Sequence, residues 1–151
     1  MHSMSILLAT DGSAEALAAA AWLDRWTRPE FQQITLATVI PTPTMSWGMG
    51  VGGYVIDADL AQKTYQEVLA EEREAAGKIL EATRGQLNHA KPIHEEILVG
   101  YPARALVEYA QTHHFDLIVM GRRGHSALGN LVGSVSFSVM QRSPIPVTIV
   151  S

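Results

Sequence analysis

The residues best suited to chemistry lie in two glycine-rich segments near the end of the chain. Residues 121–124 read Gly-Arg-Arg-Gly, and Gly133 follows after eight further residues. Glycines allow a backbone to approach phosphates closely, with its amide groups turned inward. A helix that opens at Gly133 adds N–H groups and a favourable dipole, and Ser134 and Ser136 add hydroxyls. The pattern indicates phosphate binding. The alternative is that these glycines serve only turn geometry and helix–sheet packing.

Positive charge is concentrated in the same part of an otherwise acidic chain. Arg122, Arg123 and His125 are neighbours, whereas the whole chain of 151 residues has 11 Lys and Arg against 15 Asp and Glu, a net charge of −4. A protein that binds nucleic acid generally needs a basic excess to neutralise phosphates. We therefore expect no nucleic-acid partner, and the local charge suits one phosphate-bearing small ligand.

Two other phosphate-binding motifs do not apply. Residues 48–53 match G-x-G-x-x-G, but residues 41–47 separate them from the preceding strand. Dinucleotide binding needs those glycines directly between the first strand and its helix. We interpret residues 41–56 as a mobile loop. The sequence contains no G-x-x-x-x-G-K-[ST] motif, which excludes a P-loop.

The chain offers few groups for covalent or metal chemistry. It has no cysteine, which excludes a thiolate nucleophile, a disulfide and any Cys-based metal site. The six histidines form no metal pattern, so we predict no metal bound by side chains. No Ser/His/Asp constellation can be argued either, so we predict no catalytic residue. No apolar run reaches the ~18 residues of a membrane-spanning helix, and the start of the chain lacks the basic region of a signal peptide. We expect a cytoplasmic protein without membrane association.

The elements that must position the glycine segments alternate between strand and helix. Apolar, β-branched runs predict strands and helical periodicity predicts the helices between them. The strands are expected at residues 6–10, 34–40, 93–99, 117–120 and 146–150, and the helices at 14–26, 57–87, 102–110 and 134–141. Such alternation predicts one α/β domain over residues 1–151, with a parallel, doubly wound sheet and right-handed crossovers. Ligands bind such sheets at the carboxyl ends of the strands. There the loops contain Asp11, the residues after Val39, and Gly121.

The chain as a whole resembles the universal stress protein family, in its single-domain form. The resemblance is carried by five segments: residues 6–13, 100–103, 116–124, 133–136 and 143–147. It implies a Rossmann-like fold with a five-stranded sheet in the order 3-2-1-4-5 and helices on both faces. In the ATP-binding branch of the family the signature is G-x2-G-x9-G-[ST]. This chain has eight residues where the signature has nine, which shortens the loop between the two phosphate-binding ends.

The resemblance also implies which residues contact ATP. Ala9, Thr10 and Asp11 would contact the nucleoside, with Asp11 as the ribose partner, and Val39 would meet adenine. The remaining contacts would line the cleft or hold the phosphates: Met120, Gly121, Gly124, Gly133, Ser134, Val135 and Ser136. Arg123 and His125 join this predicted set because of their local positive charge. Asp11 has an alternative role as a turn residue that meets no ligand, and we favour the ligand role. ATP could bind with or without a Mg²⁺ or Mn²⁺ ion that bridges its phosphates.

These features favour an ATP-binding regulatory protein of the stress response that acts as a nucleotide-dependent dimeric switch. The resemblance implies a homodimer through the last strand, Pro146 to Val150, paired antiparallel across a two-fold axis. One alternative is an interaction module of the same fold that binds no nucleotide. A slow ATP hydrolase ranks lower, because no general base or water-positioning residue can be nominated.

Overall fold

The computed structural model describes residues 3–30, 32–41, 58–89, 92–122 and 133–151. The predicted alternation of strands and helices is confirmed along these ranges. The elements are β1 (Met4–Ala9), α1 (Ala14–Trp26), β2 (Gln32–Ile40), α2 (Ala58–Arg84), β3 (Ile93–Val99), α3 (Pro102–Thr112), β4 (Leu117–Gly121), α4 (Ser134–Arg142) and β5 (Val147–Val150). Nearly all of the loop expected at residues 41–56 lies outside the described residues. No helix in the described ranges is long and apolar enough to cross a membrane.

Most elements differ from the predicted bounds by one to three residues, and two of these differences have a clear cause. α2 ends at Arg84 instead of Leu87, because the chain turns at Gly85. Leu87 is still buried, since this turn carries its side chain back into the core. β5 begins one residue later than predicted. Pro146 accepts a hydrogen bond from the Ile118 N–H but has no N–H of its own with which to continue the ladder.

The five strands form one sheet in the order β3-β2-β1-β4-β5, which confirms the predicted order. Every neighbouring pair is parallel, with β1 paired to both β2 and β4. The chain leaves β1 toward β2 on one side and later returns to β4 on the other. This reversal opens a crevice at the carboxyl ends of β1 and β4, where open α/β sheets bind ligands.

Helices cover the two faces of the sheet and form two hydrophobic cores. Successive side chains of a strand point to opposite faces, so Ile6 and Leu8 enter one core while Leu7 and Ala9 enter the other. The first core is completed by α1 and α2, and the second by α3 and α4. All four of these β1 side chains are buried, because the central strand of a parallel sheet is covered on both sides.

The C-terminal half of α1 is anchored by Asp24. Its carboxylate accepts the His89 backbone N–H at 2.8 Å and lies 2.7 Å from the His89 ring Nδ1. Burial raises the pKa of Asp24, but the hydrogen bonds and charge of His89 outweigh that effect and hold the pKa below its ordinary value. The pair joins α1 to the segment that follows α2.

Candidate functional site

A cleft of about 340 Å³ lies at the carboxyl ends of β1, β2 and β4. This volume falls within the range of small-molecule sites in proteins. Every predicted site residue in the described ranges lines it: Ala9, Thr10, Asp11, Val39, Met120, Gly121, Gly133, Ser134, Val135 and Ser136. The other three predicted residues, Arg123, Gly124 and His125, lie outside the described residues. The structure thus brings together side chains from four separate parts of the sequence.

One rim of the cleft is the turn between β1 and α1. The Asp11 carboxylate accepts the Ser13 N–H at 2.9 Å, and the Ser13 hydroxyl accepts the Ala16 N–H at 3.2 Å. Gly12 between them has φ of +78°, a left-handed conformation that suits glycine. Asp11 is half-buried and also lines the cleft. The same side chain therefore stabilises the turn and faces the site.

Thr10 is tied to the interior of the protein. Its N–H donates to the Ala37 carbonyl at 2.9 Å, and its hydroxyl lies 2.8 Å from the Thr83 hydroxyl of α2. The Gly12 N–H donates to Thr10 Oγ1 at 3.1 Å. The Thr10 hydroxyl is buried among these partners, so two of its three hydrogen-bonding positions are used within the protein.

Gly121 holds the cleft together at the end of β4. A Cβ atom on Gly121 would lie 2.8 Å from the backbone C and O atoms of Glu15, closer than real Cβ contacts. The first turn of α1 therefore packs directly on this glycine. On the other side, the Ser136 hydroxyl donates to the Gly121 carbonyl at 2.8 Å. Because its proton is committed to that bond, Ser136 can offer a ligand only a hydroxyl lone pair and its amide.

The opposite rim is the N-terminus of α4. Its N-cap, Gly133, makes no side-chain capping hydrogen bond, and the first turn carries no acidic residue. The Gly133 N–H donates to the Arg122 carbonyl at 2.8 Å, and its carbonyl accepts the Phe137 N–H at 2.9 Å. The amide groups of the first helical turn are the ones that capping side chains or anions normally satisfy. This rim has the geometry of an anion-binding end.

The wall between the two rims is largely apolar, and sequence reasoning missed part of it. The missed residues are Ala16, Ala37, Thr38, Pro41, Pro102 and Leu106. Pro102 and Leu106 are four residues apart, so the sequence predicts that they share one face of α3. The sequence does not indicate that this face reaches the cleft. This wall gives the cleft an apolar surface of the kind that receives a flat aromatic base.

The charged groups at the cleft are few. Among the described residues that line it, Asp11 is the one ionisable side chain. Within the same ranges, no group of three or more His, Asp and Glu side chains is arranged to hold a metal ion.

Residues 3–151 match the model of the Universal stress protein family. Universal stress protein MJ0531 of Methanocaldococcus jannaschii is 28% identical over 146 residues, which cover 96% of this chain and 80% of that protein. A universal stress protein of Mycolicibacterium smegmatis is 32% identical over 146 residues, which cover 96% of this chain and 47% of that protein.

Solved structures share the fold at low sequence identity. Hypothetical protein MJ0577 has a TM-score of 0.77 at 22% identity, over 99% of this chain and 96% of that one. A universal stress protein in complex with cAMP has a TM-score of 0.63 at 24% identity, over 99% and 98% of the two chains. One from Archaeoglobus fulgidus in complex with dAMP has a TM-score of 0.62 at 21% identity and covers both chains fully, 100% and 100%. These likenesses establish the α/β fold.

Proposed function

The chain belongs to the universal stress protein family, and on that premise we propose that it binds an adenine nucleotide, ATP, in the cleft between β1 and β4. The observation that carries the proposal is the N-terminus of α4, which opens on this cleft with a glycine N-cap and no capping side chain. The first amide groups of a helix and the helix dipole stabilise a phosphate group at such an end. The bound nucleotide would act as a regulatory signal of the stress response.

The phosphates would lie along the rim formed by Gly133, Ser134 and Val135. The amide groups of Ser134 and Val135 and the Ser134 hydroxyl would supply hydrogen-bond donors, since the Gly133 N–H already donates to Arg122. Arg122, Arg123 and His125 place positive charge in the adjacent segment of the sequence. A triphosphate benefits from such charge more than a monophosphate, which supports ATP as the ligand. Gly124 belongs to the same proposed phosphate loop.

The nucleoside would occupy the other half of the cleft. The Asp11 carboxylate, which lines this half of the cleft with Ala9 and Thr10, would accept hydrogen bonds from the ribose hydroxyls. Val39, Met120 and Leu106 supply an apolar surface for the base. Family members solved with cAMP and with dAMP support an adenine nucleotide as the class of ligand.

We test the ligand by denaturing the purified protein and identifying any released small molecule by mass spectrometry. The stripped protein is then titrated with ATP, with and without Mg²⁺, by calorimetry. Binding of ATP supports the proposal. The absence of both a released nucleotide and a binding signal would favour the interaction module, and turnover that an Asp11→Asn change abolishes would favour an ATP hydrolase.

We also propose a homodimer formed by antiparallel pairing of the last strand, Pro146 to Val150. β5 is an edge strand whose residues are all half-buried, and α4 beside it exposes Phe137 and Met140 by 52% and 41%. The opposite edge, β3, is protected by exposed charges at Glu95 and Glu96. Uncharged, apolar edges favour pairing and charged edges oppose it.

The nucleotide would shift this dimer's conformation or assembly, because α4 contributes to both the cleft and the β5 edge. Light scattering at micromolar protein concentration, with and without ATP, measures the assembly. A mass twice that of the chain is expected, and a monomer under both conditions would exclude the dimer.

A further inference from the structure

A polar network inside the first core connects the middle of the chain to the cleft. Thr83 on α2 is 0% exposed, and its hydroxyl donates to the Ile79 carbonyl at 2.8 Å. The same oxygen lies 2.8 Å from the Thr10 hydroxyl. Thr83 has one hydroxyl proton, so the bond to Ile79 and the bond to Thr10 form together only when Thr10 is the donor to Thr83. This arrangement satisfies both buried hydroxyls.

The network continues into the turn between β1 and α1. Thr10 Oγ1, having donated its proton to Thr83, accepts the Gly12 N–H at 3.1 Å. Ile79 reinforces the same connection, because a Cβ atom on Gly12 would lie 3.0 Å from Ile79 Cγ1. One turn of α2 thus contacts the cleft loop on both sides of Asp11, through a hydrogen bond at Thr10 and through packing at Gly12.

We propose that Thr83 is a positioning residue for the nucleotide. Its hydroxyl orients Thr10, and Thr10 orients Gly12, so the Asp11 between them is held where it lines the cleft. Without the Thr83 oxygen, the buried Thr10 proton has no acceptor in this network. Thr10 must then rotate, which disturbs its bond to Gly12, or the loop must move. This inference rests on the proposed nucleotide site, since it assigns a residue that shapes that site without touching the ligand.

The test compares Thr83→Val, which removes the hydroxyl at nearly constant shape, with Thr83→Ser, which keeps it. Thr27→Val is the matched control. Thr27 is also buried and its hydroxyl also donates to the carbonyl four residues earlier, Leu23, at 2.9 Å. Neither Thr27 nor Leu23 lines the cleft. Loss of one hydrogen bond corresponds to about a five- to tenfold change in an equilibrium constant.

For ATP binding by calorimetry, Thr83→Val is expected to raise Kd about five- to tenfold. Thr83→Ser and Thr27→Val are expected to stay within about twofold of the parent. A Thr83→Val variant that binds ATP as tightly as the parent would overturn the inference. So would an equal loss in Thr27→Val, because the effect would then follow from general destabilisation.

A second measurement does not depend on any ligand. In the ligand-free protein, the Gly12 amide should shift its NMR resonance and exchange its hydrogen faster in Thr83→Val, but not in Thr83→Ser or Thr27→Val. An unchanged Gly12 amide in Thr83→Val refutes the positioning role even if the parent binds no ATP. Conversely, a shifted Gly12 amide in a protein that binds no nucleotide would refute the proposed function and leave the network intact.

Discussion

Two helices begin at the cleft, and they differ in whether a side chain caps their first amide groups. α1 starts after Ser13, whose hydroxyl accepts the Ala16 N–H, and its first turn contains Glu15. α4 starts after Gly133, with no side-chain cap and no acidic residue in its first turn. Both helices are attached to the same residue, since Gly121 contacts the backbone of α1 and accepts the Ser136 hydroxyl of α4.

On the proposed function, this difference gives α1 a structural role and α4 a ligand-binding role. An internal cap and a carboxylate at the N-terminus of α1 already satisfy the groups that attract anions, and Glu15 would repel a phosphate. The N-terminus of α4 has no side-chain cap and no carboxylate in its first turn, so a bound phosphate could accept hydrogen bonds from its first amide groups. We infer that α1 fixes the shape of the cleft and presents Asp11, while α4 receives the anion.

The largest expected effect comes from Gly121→Ala, which forces α1 away from the point where both helices contact β4. The added methyl group would overlap the Glu15 backbone, so α1 must shift and the free energy of unfolding should fall by about 1–3 kcal/mol. ATP affinity should fall with it, because both rims move. Chemical denaturation and calorimetry measure the two effects.

Gly77→Ala is the matched control for Gly121→Ala. A Cβ on Gly77 in α2 would meet nothing within 4 Å, so alanine there should raise stability by about 0.5–1 kcal/mol. If Gly121→Ala raises the free energy of unfolding as Gly77→Ala does, Gly121 is not the residue on which both helices pack.

Gly133→Asp should convert the α4 end into one that resembles α1. The new carboxylate would cap the helix and repel phosphate, so ATP affinity should fall at least about tenfold while stability changes by only a few tenths of a kcal/mol. Calorimetry and thermal unfolding report the two quantities. Gly133→Asn, which caps without charge, should lose less affinity. Unchanged binding in Gly133→Asp would remove this rim from the site.

Ser13→Ala makes the converse test at α1. Loss of the cap should lower the free energy of unfolding by about 1 kcal/mol, as is common for a helix N-cap. ATP affinity should stay within about twofold, because the ligand does not use this helix end. Denaturant unfolding and titration with ATP are the measurements. A loss of affinity comparable to that of Gly133→Asp would contradict the division between the helices.

The smallest effect concerns the C-terminal half of α1, where Asp24 holds His89. Because the folded-state pKa of Asp24 is lowered, its stabilisation is present above its unfolded pKa of about 3.9 and is lost as pH falls through the folded value. Stability measured from neutral to acidic pH should decline less steeply in Asp24→Asn. An identical acid slope in both proteins would show that this pair contributes nothing.

Much of the cleft was predictable because its chemistry is local in sequence. Glycines at the ends of apolar runs mark where a backbone can approach phosphate, and Asp11 directly follows the first strand. The apolar alternation that predicts a parallel sheet also places those strand ends at one edge. By contrast, the neighbours of Gly121 could not be read from the sequence, since Glu15 lies more than a hundred residues away.

The sequence by itself determined the order of strands and helices, the family and the residues at the strand ends, because periodicity and glycine positions are properties of short segments. Only the tertiary structure decided that Pro102 and Leu106 line the cleft and that Thr83 bonds Thr10 across 73 positions. Such contacts depend on how helices pack against the sheet, and packing joins residues that no local pattern relates.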